Sequence, residues 1–143
     1  MECIFCNIAQ KNAEAEILFE DDNIIAFLDI LPVNYGHTLV ITKKHYDNFL
    51  TIPAEELNAV MKATQFIAGA VKRSIKADGF NIISNNGDSA GQTVYHFHFH
   101  IIPRFKSDFS LKPKVKTYGS GEMKKYADEI RALIGQYKDI YNG

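Results

Sequence analysis

The sequence predicts an α+β domain built on a largely antiparallel sheet. Three observations carry that prediction: short β-rich runs joined by polar turns, a single long amphipathic stretch among them, and a segment in which His96, His98 and His100 alternate with Phe97, Phe99 and Ile101. At 143 residues the chain is one domain's worth. We therefore expect a single domain over 1–143, with its core in 3–104 and a C-terminal loop and helix in 105–143.

Taken in order, Glu16 to Phe19 and Asn23 to Asp29 read as strands joined at Glu20-Asp21-Asp22-Asn23, a polar hairpin turn. Pro32-Val33-Asn34-Tyr35-Gly36 is a loop, and Thr38 to Thr42 is a strand that His37 enters beside a glycine. From Pro53 onward, Leu57, Val60, Met61, Thr64, Ile67, Ala68, Val71 and Ile75 recur at three- and four-residue steps. Glu55 and Glu56 open that stretch and Lys72, Arg73 and Lys76 close it, so it is an amphipathic helix with charges matched to its dipole, stopped at Gly79. Phe80 to Asn85 reads as a strand and Asn86 to Gly91 as a turn-rich loop leading into the histidine strand. After Pro103 come a basic irregular stretch and a last helix, capped by Ser120, with Met123, Tyr126, Ala127, Ile130, Leu133, Ile134 and Tyr137 as its apolar stripe.

Apolar residues make up 46% and charged residues 23%, which is ordinary globular usage and excludes a disordered or fibrous chain. A net charge of −1 argues against a large nucleic-acid footprint. No stretch approaches the length of a membrane span, and the first residues lack the pattern of a signal peptide, so we expect an intracellular, cytoplasmic protein. Its two cysteines, Cys3 and Cys6, are then expected to be reduced. Cys-x-x-Cys reads as a metal half-site or thiol pair before it reads as a disulfide.

The chemistry concentrates in the five histidines. In a strand, alternate residues share a face, so His96, His98 and His100 line one side while Tyr95, Phe97, Phe99 and Ile101 line the other. A helix would spread the three rings through about 200° and separate them. Neutral imidazole is a fair nucleophile near neutral pH, and a ring that donates one N–H to a backbone carbonyl keeps the other nitrogen free. Neighbouring rings discourage one another from charging. Such a group suits transfer at phosphorus. A three-histidine metal site is the rival reading, although alternate residues of one strand seldom wrap a tetrahedral ion unaided.

His96 to Ile102 satisfies the pattern His-φ-His-φ-His-φ-φ, with φ apolar, and so closely resembles the histidine triad family of nucleotide hydrolases and transferases. The likeness extends to Phe27-Leu28-Asp29-Ile30, to Pro32 through Ile41, and to Asn85, Gly91, Gln92 and Thr93, spanning about Cys3 to Arg104. It implies a five-stranded antiparallel sheet with one long helix and a C-terminal helix, continued across a homodimer into ten strands. It also implies that His98 attacks the α-phosphorus of a purine nucleotide compound of the AMP or GMP type to form a nucleotidyl-histidine that water hydrolyses. His100 would donate to phosphoryl oxygens, and His37 would orient the triad. Gln92, Thr93 and Asn85 would contact the phosphate or leaving group. Asp29 would bind the ribose hydroxyls, and Phe5, Ile8, Phe27 and Ile30 would sandwich the base. Some bacterial-type members carry structural zinc, which here implies Cys3, Cys6, His45 and His96 as ligands and no metal in the chemical step.

The substrate class is left between two branches. Gly91 to Val94 and Ile101 to Arg104 resemble dinucleoside polyphosphate hydrolases that cleave diadenosine tri- and tetraphosphate. Phe27 to Ile30 and the Cys-x-x-Cys start resemble the phosphoramidases. A nucleotide-binding regulatory or scaffold protein with incidental turnover is the reading from a different class. Lys112, Lys114 and Lys116 offer either a polyphosphate contact or a solvated basic loop.

Overall fold

Strands β1 (Ile17–Glu20) and β2 (Ile24–Leu28) form a hairpin whose turn is set by Asp21. Its Oδ1 accepts from the backbone N–H groups of Asn23 and Ile24 at 2.8 and 2.7 Å, an aspartate turn that needs no glycine. The protein is described by a computed structural model covering residues 2–108 and 115–142, so Lys112 and Lys114 lie outside the described residues. The chain divides into two compact units between residues 109 and 110.

In the first unit β2 pairs with β3 (Thr38–Thr42), β3 with β5 (His98–Arg104), and β5 with β4 (Gly79–Ile83), all antiparallel, giving the order β1-β2-β3-β5-β4. The predicted strands lie within one or two residues of these bounds, apart from β5. It starts at His98, because Phe97 N–H donates to Tyr46 O at 2.6 Å and so leaves the sheet ladder for a loop. Tyr95 is accordingly exposed, its hydroxyl bonded to Asp88, and does not join the core face as expected.

Register assigns the two faces. His98, Ile41 and Ile25 form one row across the sheet and His100, Leu39 and Phe27 the next, while Phe99, Val40 and Ala26 point the other way. That second face is covered by helix α2 (Ala54–Ser74), whose Val60, Ile67 and Val71 pack on Phe97, Phe99, Ile101, Val40 and Ile24. Val60, Val40 and Ile101 are fully buried. Each such side chain contributes about 1.5–3 kcal/mol of transfer free energy. Met61 is exposed, so the predicted apolar stripe is narrower than drawn. The first face is covered by helix α1 (Ile4–Ala9), whose Phe5 and Ile8 pack on Ile25, Phe27, Leu39 and Ile41. No periodicity announced this helix, since six residues are too few to show any.

Two predicted helix ends are corrected. α2 stops at Ser74, and Lys76, not Gly79, takes the left-handed position after it, at φ 56°. Ala77 N–H closes the end onto Lys72 O at 3.0 Å. Gly36 is required where the sequence placed it: at φ +94°, a Cβ there would lie 2.8 Å from Ile75 Cδ1.

The second unit contains α3 (Glu122–Asn142). Its first intrahelical bond runs from Lys125 N–H to Gly121 O, so Gly121 and not Ser120 holds the cap position, with Glu122 reaching back to the Gly119 N–H. Met123, Tyr126, Ile130, Leu133, Ile134 and Tyr137 are exposed within this unit.

Candidate active site and metal centre

The α1 face of the sheet holds a pocket of about 300 Å³. His98 and His100 from β5, Phe27 to Ile30 at the end of β2, Phe5 and Ile8 from α1, and Thr93 and Val94 from the loop before β5 line it. Of the predicted base-contacting residues, Phe5, Ile8, Phe27 and Ile30 are all in the lining, with Ile30 88% exposed at the rim. Asp29 and Thr93 join them. Leu39, Val94, Glu14 and Ala15 line it too. Leu39 was findable, since it alternates with Val40 and pairs across from His100. Glu14 and Ala15 left no signal in the sequence.

Backbone contacts assign the imidazole protons. Val33 N–H donates to His37 Nδ1 at 3.0 Å, which puts the His37 proton on Nε2. That nitrogen lies 2.9 Å from His100 Nδ1, so His100 accepts there and carries its own proton on Nε2. His98 Nδ1 donates to His96 O at 2.7 Å, leaving His98 Nε2 with a free lone pair. Burial holds His37 and His98 below the ordinary imidazole value, and burial together with the facing His98 and His37 pushes His100 down to about 4. All three rings are therefore neutral at pH 7. Asp29 Oδ2 stands 3.6 Å from His37 Nε2, and its Oδ1 accepts from Leu31 N–H at 2.9 Å.

Asn85 and Gln92 are not among the pocket-lining residues. Gln92 is buried, and its carboxamide closes the loop around it: Nε2 donates to Asp47 O and Val94 O at 2.7 and 3.2 Å, and Oε1 accepts from Gly87 N–H at 2.9 Å. Lys116 is exposed in the second unit.

A second cluster adjoins the pocket. The sulphurs of Cys3 and Cys6 and the Nδ1 atoms of His45 and His96 all lie within 4.8 Å of one another. His96 Nδ1 is 3.4 Å from Cys3 Sγ and 3.5 Å from Cys6 Sγ, and His45 Nδ1 is 3.4 Å from Cys6 Sγ. Each ring turns its other nitrogen to an acceptor, His96 Nε2 to Thr42 O at 2.7 Å and His45 Nε2 to Asp47 Oδ1 at 3.0 Å. This is the arrangement that fixes a metal-binding imidazole. Asp47 was missed, although a carboxylate two residues after His45 was a signal. Burial and the Cys3 thiol push Cys6 up to about 11, so only a cation would draw its proton off near neutral pH. Two sulphurs and two imidazole nitrogens fit tetrahedral zinc. His96 precedes β5 and belongs to this cluster, which separates it from His98 and His100.

Comparison with known proteins gives a consistent result. The family model described as the HIT domain matches residues 10–107. An uncharacterized HIT-like protein of Saccharolobus solfataricus is 45% identical over 138 residues, 96% of this chain and 99% of that protein. An adenylylsulfatase of Arabidopsis thaliana is 36% identical over 107 residues, 75% of this chain and 54% of its own length. Among solved structures, SMU.412c of Streptococcus mutans superposes with a TM-score of 0.86 at 36% identity, covering 93% of this chain and 85% of that one. A zinc-bound histidine triad family protein of Mycobacterium smegmatis gives 0.72 at 35% identity, covering 98% of each chain.

Proposed function

We propose, from the premise that this chain belongs to the HIT domain family of nucleotide-binding hydrolases and transferases, that it is a nucleotidyl hydrolase acting on nucleoside phosphoramidates or related purine mononucleotide compounds. The observation that carries the reading is the bond from His98 Nδ1–H to His96 O, which leaves a neutral Nε2 lone pair in a pocket with apolar walls. In the first step His98 Nε2 bonds to the α-phosphorus as the bond to the leaving amine breaks. The amine leaves with the electron pair and takes up a proton from water. In the second step water attacks phosphorus, the nitrogen–phosphorus bond breaks with its electron pair returning to His98, and the proton released by the attacking water neutralises the hydroxide left in the first step.

His100 Nε2–H donates to phosphoryl oxygens as charge develops, and His37 holds that proton in place. Thr93 offers its hydroxyl at the same end of the pocket, while Gln92 acts by closing the loop that presents it, with Asn85 beside that loop. Asp29 takes the ribose hydroxyls, and Phe5, Ile8, Phe27 and Ile30 take the base. Cys3, Cys6, His45 and His96 hold a structural zinc, and the chemical step needs no metal. Among the described residues that line the pocket the charged ones are Glu14 and Asp29, both acidic, which favours a small amine leaving group over a long polyphosphate.

An adenosine phosphoramidate and diadenosine tetraphosphate, offered without added divalent ion to wild-type and His98→Ala protein, test this. We expect faster turnover of the phosphoramidate, a loss of at least about a thousandfold in His98→Ala, and retained AMP binding. Equal activity in the variant would sink the covalent reading.

A further inference from the structure

We infer that the Cys3–Cys6–His45–His96 centre is a positioning device for the nucleotide pocket: it anchors α1, and with it the base-wall residues Phe5 and Ile8, so that metal occupancy and nucleotide affinity are coupled. The inference rests on the pocket reading above.

The geometry points this way along two routes. α1 has six residues, too few to persist alone in water. Cys3 caps it, its sulphur accepting from Cys6 N–H at 3.4 Å, and both sulphurs turn toward His96. Phe5 and Ile8 are interleaved with the two cysteines and turn into the pocket instead. The ring of Phe5 stands edge-on to His98 with centroids 5.1 Å apart, and edge-on to Phe27 at 5.5 Å. One side of a short helix thus belongs to the sulphur centre and the other to the substrate wall. The second route is the main chain of His96. Its ring nitrogen belongs to the sulphur cluster, while its carbonyl fixes the proton of His98.

Coupling is reciprocal, so it is read without turnover. AMP binding is titrated calorimetrically into zinc-loaded and zinc-stripped protein, and zinc affinity is measured against a chromophoric chelator with and without saturating AMP. We expect stripping to weaken AMP binding about tenfold or more, and AMP to tighten zinc by the same factor. Phe5→Ala should retain zinc and show a smaller effect of saturating AMP on it, the remainder running through His96. If the stripped protein unfolds, AMP tightens zinc through folding alone, and the chelator titration of wild type against Phe5→Ala, both at saturating AMP, decides. An unchanged zinc affinity with AMP bound overturns the coupling. Failure of loaded protein to bind AMP at all overturns the pocket reading as well.

Discussion

His100 takes its proton position from a backbone amide in another loop. Val33 N–H fixes His37, and His37 fixes His100, so two neutral rings present one donor to the pocket without either being charged. That arrangement has a cost in acid. In the unfolded chain each ring has the ordinary imidazole value of 6.5, whereas in the folded protein burial pushes His100 to about 4 and holds His37 below 6.5. Between those values the unfolded chain binds more protons, so stability rises with pH across the window. It is fully present above pH 6.5 and drains away as the pH falls toward 4. We expect the urea midpoint to be lower at pH 5 than at pH 7.5, and His100→Asn to reduce the difference. A midpoint independent of pH over that range would contradict it.

At the scale of elements, α2 shows a local rule broken and tolerated. Lys76 sits at φ 56°, a conformation that costs a side-chain-bearing residue about 1 kcal/mol and glycine almost nothing. Replacing Lys76 by Gly should therefore raise stability by about 0.5–1 kcal/mol, read from urea denaturation, with AMP binding unchanged. The same residue explains where sequence reading stopped. A glycine three positions on looked like the stop signal, and nothing in Ile75-Lys76-Ala77 announced the real one. β3 was legible to the residue, because Thr38 to Thr42 is a β-branched and apolar run bounded by a glycine loop and two lysines. His98 and His100 were legible for the period-two reason. α1 was not, since its stability comes from Phe5 and Ile8 packing on a distant sheet and from sulphur contacts that run 39 to 93 residues along the chain. Gln92 shows the limit at the site itself. The sequence placed it in the loop before the histidine strand, but its bonding to Asp47 and Gly87 is tertiary information.

For the whole molecule the edge that bears on assembly is that of β4. β4 ends the sheet, and Phe80 and Ile82, each 41% exposed, alternate on the face shared with α2. Beside them Met61, Gln65, Ala68 and Phe99 line an apolar groove, and Thr64, whose buried hydroxyl has no hydrogen-bond partner among the described residues, opens onto it. The opposite edge is guarded differently: Glu20 on β1 pairs with Lys11 at 2.5 Å and Lys43 at 2.7 Å, a charged border that discourages strand addition. β4 itself carries no charged residue, and an edge of that kind flanked by an apolar helix face suits pairing with a second copy, β4 to β4, which would extend the sheet to the ten strands expected of a homodimer. A two-fold axis there would set Ile82 near its own counterpart, so Ile82→Lys places like charges together in a closing apolar seam. We expect light scattering after gel filtration to give twice the chain mass for the wild type at tens of micromolar and the single-chain mass for Ile82→Lys. A charge placed instead on β1, at Leu18, should leave the dimer intact. A wild-type protein that runs as a monomer at that concentration, or a dimer lost only with the β1 change, would remove β4 as the interface.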